Sequence, residues 1–210
     1  MARAQQDRAV RTRETILRAA ARVFDEYGFS GSSVSKIINQ AGTTQGAMYF
    51  HFRSKEDLAK AVIDEQSSDL DLPGRPAGLR QLIATTLYLA EELRENVLLR
   101  AGVTLAVEQG QLGLRDFNPY ERWAEQFHAE LEAARRAGEL LDEVVIEEFA
   151  QVLVAAYAGS QVMSLLYTGR ADLSQRIVRL WWHLLPGLAP APVVAELRAF
   201  LAGQDAGRRV

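Results

Sequence analysis

Hydrophobic residues in the first part of the chain recur with the 3.6-residue period of an α-helix. The inward positions of a first helix are Ile16, Leu17, Ala20, Val23, Phe24 and Tyr27. Gly28 is the expected end of this helix, because glycine commonly follows a last helical turn. The opposite face of the same helix carries Arg8, Arg11, Arg18 and Arg22. The pattern therefore predicts an amphipathic helix with a basic outer side.

Two short helices are predicted directly after it. Ser32 or Ser33 begins the first, the chain turns at Gly42, and Thr43 or Thr44 begins the second. A packing helix followed by helix, glycine turn and helix is the plan of a helix-turn-helix, whose second helix enters the DNA major groove. Many helical proteins contain such a turn, so the pattern needs support from charge and residue type.

The rest of the chain also has a helical pattern, without the alternation of a strand. Ser54 is expected to cap a fourth helix that ends near Gln66, with Asp57 reciprocating toward Ser54. A linker follows, marked by Pro73, Gly74, Pro76 and Gly78. Further helices are predicted at about 79–96, 98–109, 119–137, 142–169, 173–185 and 192–202.

Turn and cap residues support several of these boundaries. Asn118 and Pro119 mark the start of one helix and Gly138 its end, whereas Asp172 is expected to cap another. We therefore predict an all-α protein with a three-helix helix-turn-helix DNA-binding domain at 8–53. A connecting helix joins it to a helical-bundle domain for ligand binding and dimerisation at 54–205.

Charge is divided unevenly along the 210 residues. Residues 1–55 carry nine basic and four acidic side chains, a net charge of +5, against −8 over the remainder. A basic segment joined to an acidic body indicates that the first segment alone meets a polyanion. Chance clustering on a solvated face is the alternative. Hydroxyls on the short helices suit phosphate oxygens, and Gln45 could pair with an adenine edge.

Composition excludes several function classes. The chain has no cysteine, which excludes disulfides, thiolate metal sites, iron–sulfur clusters and a cysteine nucleophile. His51, His128 and His183 do not have metal-ligand spacing, and no catalytic or nucleotide-binding motif occurs. We expect no enzyme activity, no metal and no cofactor. The polar, basic N-terminus is unlike a secretory signal, so we expect a cytoplasmic protein.

Residues 149–169 form a stretch without formal charge that is long enough to span a bilayer. Its polar residues favour a buried helix of a helical protein over a membrane span. One face carries Tyr157, Ser160, Gln161, Ser164 and Thr168, and the opposite face carries Val152, Ala155, Gly159, Val162 and Leu166. The polar face needs partners, which a ligand, water or the core itself could supply.

A second apolar cluster, Trp181, Trp182, Leu184 and Leu185, lies near the end of the chain. Together with the small apolar face of the charge-free helix, it predicts a homodimer interface of two helices from each subunit. An intramolecular core is the alternative, and both can hold for different members of the cluster.

The segment IINQAGTTQGAMYFHFRSKEDLAKAV closely resembles the DNA-binding region of the TetR family of bacterial repressors, in particular the branch of γ-butyrolactone-type autoregulator receptors. The resemblance continues more loosely at RAGVTLAVEQG (100–110) and PYERW (119–123). It implies operator contacts by Ser33, Thr44, Tyr49, His51 and Lys55, with Tyr49 and Lys55 on phosphates. Arg11, Thr43 and Gln45 complete the predicted DNA-binding set. The branch usually has valine at Thr43 and lysine at Gln45, so operator preference is expected to differ.

The same resemblance implies a small-molecule site in the body. Trp123 would cover the ligand, Ser160 would contact its oxygens, and Gln66 would be a polar pocket residue. Tyr88 and Thr104 are added from helical period, and the polar face supplies Tyr157, Gln161 and Ser164. An acidic ligand would favour a buried cation, for which Arg100 and Arg122 are candidates.

These observations together predict a homodimeric repressor that binds a palindromic double-stranded DNA operator. A small signalling molecule of γ-butyrolactone, butenolide or furan type would release it and so control antibiotic biosynthesis genes. One alternative is a pseudo-receptor that responds to an antibiotic or another metabolite. Another is a helical adaptor without DNA binding, which would lack salt-sensitive retention on DNA.

Overall fold

The structure, a computed structural model, describes residues 2–108 and 120–206, without the side chains of residues 2–5, 205 and 206. Within these ranges the chain forms α-helices and a short 3₁₀ turn and no strand, so the predicted all-α class is confirmed. The helices are α1 (Ala2–Gly31), α2 (Val34–Ala41), α3 (Gln45–His51), α4 (Lys55–Glu65), α5 (Leu79–Glu95), α6 (Val97–Val107), α7 (Glu121–Arg136), α8 (Ile146–Thr168), α9 (Leu173–Leu184) and α10 (Ala191–Ala206).

The chain divides into two compact units. Unit 1 comprises residues 1–70 and 95–119 and so contains α1 to α4 and α6, whereas unit 2 comprises residues 71–94 and 120–210. The domain boundary predicted at residue 53 stays a prediction about where the two functions divide. The boundaries of the compact units do not coincide with that residue, because α4 and α6 both pack in unit 1.

The core of unit 1 is built by the apolar stripe of α1 and by inward residues of the other four helices. Its members include Ile16, Phe24, Ile37, Met48, Phe52, Leu58, Val62, Leu98 and Leu105. Helix α6 therefore contributes to the same core as the two short helices.

The side-chain cap predicted at the start of α4 is present, because Ser54 Oγ accepts a hydrogen bond from the Asp57 amide at 3.1 Å. The predicted return bond from Asp57 to Ser54 is wrong. The Asp57 carboxylate accepts a hydrogen bond from the backbone amide of Arg53 instead.

Gly28 ends the first, regular stretch of α1, as predicted. Its φ of 64° and ψ of −177° break the helical geometry, and a further short helical stretch runs to Gly31. The Glu108 carboxylate accepts a hydrogen bond from the Phe29 amide at 2.7 Å. The backbone angle at this kink favours glycine, and a β-carbon at position 28 would lie 2.8 Å from Glu108 Oε1, so the Glu108 carboxylate would have to shift.

In unit 2 the N-terminal end of α5 is held by two carboxylates. Glu130 of α7 is buried and accepts from the Ala77 and Gly78 amides at 2.8 and 3.1 Å, and Glu139 accepts from the Leu79 amide at 2.8 Å. These bonds satisfy amides that a helix start leaves unpaired. The end of the predicted linker is thus fixed to the body by specific hydrogen bonds.

The predicted apolar cluster near the chain end divides between inside and outside. Trp181 and Leu185 are fully buried, and the Trp181 Nε1 donates to Thr86 Oγ1 at 2.8 Å. Trp182 is 37% exposed. The intramolecular alternative therefore holds for Trp181 and Leu185, and Trp182 is left on the surface of the protomer.

Helix α8 differs from the prediction in its start and its burial. It begins at Ile146 rather than near 142, and a third of its most apolar window is buried. Among the described residues it is the one helix with the length and hydropathy of a membrane span. Its exposed side includes Val152, Ala155, Gly159, Val162 and Leu166, which is the predicted small apolar face. Asn118 and Pro119, predicted to begin the preceding helix, lie outside the described residues.

Candidate DNA-binding and ligand-binding sites

The two short helices are capped at one of the two alternatives predicted for each. Ser33 Oγ accepts from the Lys36 amide and Thr44 Oγ1 accepts from the Ala47 amide, both at 3.2 Å. Gly42, with φ of 60°, makes the turn between them. Because both exposed hydroxyls act as acceptors in these caps, their hydrogens remain able to donate to a phosphate.

Helix α3 is anchored on one side and open on the other. Met48 is fully buried in the core of unit 1, whereas Gln45 is exposed and Tyr49 is 45% exposed. Phe50 is 79% exposed, and its ring meets that of His51 edge-on with centroids 5.0 Å apart. Phe50 is absent from the predicted DNA-binding set. The inward positions Met48 and Phe52, four apart, could have indicated that residue 50 faces outward.

Two lysines fasten the end of α1 to the helices that follow it. Lys55 Nζ donates to the carbonyls of Phe29 and Ser32 at 3.0 and 3.2 Å and lies 4.0 Å from the centroid of the Phe29 ring. Lys36 Nζ donates to the Gly31 carbonyl at 3.0 Å. Two of the three ammonium hydrogens of Lys55 are therefore used inside the protein. Its phosphate contact stays a prediction that would use the third.

The basic face of α1 is partly neutralised. Arg18 donates to both carboxylate oxygens of Asp69, at 2.8 and 3.0 Å, and also to Glu14. Arg8, Arg11 and Arg22 are exposed. Arg18 therefore serves the packing of unit 1, and the cations left for a polyanion include Arg8, Arg11 and Arg22.

Hydroxyls on the polar face of α8 have partners within the protein. Tyr157 is buried and its hydroxyl donates to the Thr86 carbonyl at 3.2 Å, and burial raises the pKa of Tyr157 well above its usual range. Ser160 Oγ donates to the Ala156 carbonyl at 2.8 Å, and Ser164 Oγ donates to the Asp172 carboxylate. Of the partners left open for this face, the fold itself supplies one for each of these three hydroxyls, and their contacts with a ligand stay a prediction.

Asp172 stands at the N-cap position of α9 but does not cap it with its side chain, contrary to prediction. Its carboxylate accepts from Arg176 Nε at 2.8 Å and from Thr168 Oγ1 at 2.7 Å, besides Ser164. The Arg176 hydrogen bond, followed by that from Ser164, holds the pKa of Asp172 well below its usual range.

The other predicted ligand residues are divided between the units. Trp123 is half-buried beside Phe127, with ring centroids 6.4 Å apart, and Gln161 is buried in the same unit 2. Gln66 and Thr104 belong to unit 1, where Gln66 is buried. A β-carbon at Gly102 of α6 would lie 2.5 Å from the Gln66 β-carbon, so glycine permits this close contact. Of the predicted ligand residues, Tyr88 alone lines an open cleft of about 520 Å³ in unit 2.

Arg100, proposed as a cation for an acidic ligand, is paired in unit 1. Its guanidinium donates to the Asp25 carboxylate, with Nη2 to Oδ2 at 2.8 Å and Nε to Oδ2 at 3.0 Å. Both side chains are about four-fifths buried. Arg100 thus links α6 to α1 through an ion pair. Arg122, the other candidate cation, is exposed at the start of α7.

Comparison with known proteins agrees with this architecture. The profile described as bacterial regulatory proteins, tetR family, matches residues 16–62, and the profile of the tetracyclin repressor-like C-terminal domain matches residues 76–190. The chain belongs to the TetR family. It is a DNA-binding transcriptional regulator and not an enzyme, which confirms both predictions.

Relatives within the family point to one branch. The A-factor receptor protein of Streptomyces griseus is 36% identical over 93% of this chain and 70% of its own length. The structure of the TetR regulator TylP of Streptomyces fradiae has a TM-score of 0.78 at 36% identity, covering 94% of this chain and 98% of its own. CprB of Streptomyces coelicolor, solved with its operator sequence, has a TM-score of 0.74 at 31% identity, covering 93% and 97%.

Proposed function

We propose that this TetR regulator is a homodimeric repressor that binds a palindromic operator and is released by a small signalling molecule. The exposed side of α3 carries this proposal. Met48 holds the helix in the core while Gln45, Tyr49 and Phe50 face solvent, and exposed arginines of α1 belong to the same compact unit. Such an arrangement suits base-edge contacts by α3 and phosphate contacts beside them.

Dimerisation would use the exposed apolar face of α8. Val152, Val162 and Leu166 are 53, 42 and 73% exposed, and a β-carbon at Gly159 would meet no atom within 4 Å in the protomer. Exposed apolar side chains in a contiguous stripe mark an interaction surface. A second copy packed on this face, with Trp182 beside it, would give a dimer with two α3 helices, one for each half-site of a palindrome.

The signalling molecule would bind in unit 2, between Trp123 and the Ser160–Gln161 side of α8. Similarity to the A-factor receptor protein and to the solved structure of a gamma-butyrolactone receptor, which is 29% identical over 95% of this chain, supports a γ-butyrolactone; a butenolide or a furan would be the other candidates. The ligand would favour a conformation in which the two DNA-binding units no longer match the operator spacing. The regulated genes would be those of antibiotic biosynthesis, and the protein would act in the cytoplasm.

One observation favours a pseudo-receptor as the second candidate. The hydroxyls of Tyr157, Ser160 and Ser164 already donate within the protein, so a lactone would have to compete with these bonds. A repressor of this kind would respond to an antibiotic or another metabolite instead.

The test is a gel shift on the DNA upstream of the protein's own gene. A γ-butyrolactone, a butenolide, a furan carboxylate and an extract of an antibiotic-producing culture are added in separate arms. Trp123→Ala should keep operator binding and lose release, whereas Tyr49→Ala should lose operator binding and keep quenching of tryptophan fluorescence by the releasing compound. Release by the extract alone would favour the pseudo-receptor. Loss of both properties in Trp123→Ala would contradict the proposed ligand site.

A further inference from the structure

The cleft in unit 2 lies among the segment that precedes α5, the outer side of α5 and helix α10. Its lining includes Asp71, Arg80, Ala84, Thr85, Tyr88 and Phe200. A volume of about 520 Å³ lies within the range of small-molecule sites in proteins. Tyr88 of the predicted ligand set lines it, whereas Trp123, Ser160 and Gln161, which frame the signalling-molecule site proposed above, do not.

Two hydroxyls on one side of α5 have hydrogens available in this cleft. Thr85 is 4% exposed, and none of the hydrogen bonds between the described residues involves its hydroxyl. The adjacent Thr86 differs, because its hydroxyl donates to the Ile83 carbonyl. The hydroxyl oxygen of Thr85 is not fully enclosed by protein, so it reaches the cleft, where an oxygen of a ligand could replace water as its hydrogen-bond partner.

Tyr88 complements Thr85. Its hydroxyl oxygen accepts from the Asp71 amide at 3.1 Å, which leaves its own hydrogen free to donate. Residues three apart on a helix are neighbours on one face, with β-carbons about 5–6 Å apart. The two hydroxyls can therefore donate to oxygens of one small molecule.

Charge in the cleft favours a neutral ligand. Asp71 and Arg80 have opposite sign, and Arg80 lies 3.6 Å from Glu196 and 4.7 Å from the centroid of the Phe200 ring. The charged side chains that line the cleft are thus one carboxylate and one guanidinium, so the lining carries no net charge that would select an anion. Apolar lining from Ala84 and Phe200 suits a flat hydrocarbon body.

We propose that this cleft is a second small-molecule site of the protein. Its ligand is a neutral, largely apolar compound that lays a flat body against Ala84 and Phe200. A carbonyl or ether oxygen of that compound accepts hydrogen bonds from Thr85 and Tyr88. The site does not depend on the proposed release by a signalling molecule, since it shares none of the residues on which that release is tested.

The probe for this site is prodan, a neutral naphthyl ketone whose emission shifts to the blue when its carbonyl leaves water. Titration of the full chain should give saturable, blue-shifted emission. Ala84→Phe should weaken binding at least tenfold by filling the cleft, because Ala84 is exposed and the added ring displaces no core residue. Ala202→Phe is the matched control, since Ala202 is exposed on α10 about 200° around the helix from Phe200.

A second variant and a second control separate this site from general stickiness and from the signalling-molecule site. Thr85→Val keeps the shape of the side chain but removes the hydroxyl, and should weaken prodan binding about three- to tenfold. Trp123→Ala should leave prodan binding unchanged. Unsaturable binding, or equal binding by Ala84→Phe and Ala202→Phe, would overturn the proposal, as would loss of binding in Trp123→Ala alone.

Discussion

The ion pair between Arg100 and Asp25 offers a quantitative test of how α6 is joined to the DNA-binding helices. Arg100 lies on α6 and Asp25 on α1, and three of the donor–acceptor distances between them are 2.8, 3.0 and 3.2 Å. We expect Arg100→Met and Asp25→Asn each to destabilise unit 1, because each leaves a largely buried partner without its counter-charge. Methionine keeps the apolar stem of the arginine, so the change isolates the guanidinium.

The size of the effect follows from burial. The two side chains are 17 and 20% exposed, so the pair lies between a surface pair, worth about 0–1 kcal/mol, and a fully buried one, whose disruption costs about 3–5 kcal/mol. Each single substitution should therefore cost about 2 kcal/mol, or about 4–8 °C in melting temperature for a protein of this size. The double variant should cost less than the sum of the singles, with a coupling of about 1–2 kcal/mol.

The assay is urea unfolding followed by circular dichroism at 222 nm. Tryptophan fluorescence is unsuitable because Trp123, Trp181 and Trp182 all belong to unit 2. The control is Arg136→Met: Arg136 faces Glu132 at 3.6 Å with side chains 68 and 42% exposed, and its loss should cost less than about 0.5 kcal/mol. Equal costs for Arg100→Met and Arg136→Met, or a coupling near zero, would refute the reasoning.

Three further predictions follow from burial, exposure and charge. Met48→Ala should lower the free energy of unfolding by about 2–5 kcal/mol, because the Met48 side chain on the inner face of α3 is fully buried. A loss below about 1 kcal/mol in thermal or urea unfolding would contradict that packing. Val162→Glu should convert dimers to monomers in light scattering, whereas Val107→Glu, at a valine that is 61% exposed on α6, should not; dimers in both would contradict the α8 interface. The pKa of Asp172 is depressed when the protein is folded, so its contribution to stability is present above the ordinary aspartate pKa of about 4 and is lost as pH falls below it. The difference in unfolding free energy between wild type and Asp172→Asn should therefore shrink in acid, and a difference independent of pH would refute this assignment.

Local signals in the sequence were sufficient for much of unit 1. Ser33, Gly42, Thr44 and Ser54 have short-range roles, as caps or as a left-handed turn, which depend on neighbours within a few residues. The period of the apolar residues likewise identified the buried stripe of α1, except at its end, where Tyr27 was expected inside and is 46% exposed. The resemblance to the TetR family allowed a function to be predicted as well, because the segment that resembles the family contains the cap and turn residues Gly42, Thr44 and Ser54.

Long-range partners could not be read from the sequence. Asp172 has the residue type and position of a helix N-cap, yet its carboxylate oxygens accept hydrogen bonds from the side chains of Ser164, Thr168 and Arg176 instead. Arg100 is 75 residues from Asp25, and nothing in its surroundings along the chain indicates that partner. The polar face of α8 was correctly placed by period, but whether its hydroxyls meet a ligand or the protein depends on neighbouring helices. Such choices are made by tertiary packing.

The most direct test of the central claim is operator affinity measured by fluorescence anisotropy over a range of salt concentrations. A palindromic duplex from the upstream region is titrated with wild type, Gln45→Ala, Tyr49→Ala and the control Gln175→Ala, an exposed glutamine of α9. Wild-type and control affinity should be equal and fall steeply with salt, whereas Tyr49→Ala should weaken binding to every duplex and Gln45→Ala should relax preference for the palindrome. Salt-independent binding, or equal affinity and selectivity of all four proteins, would show that α3 is not the DNA-reading element.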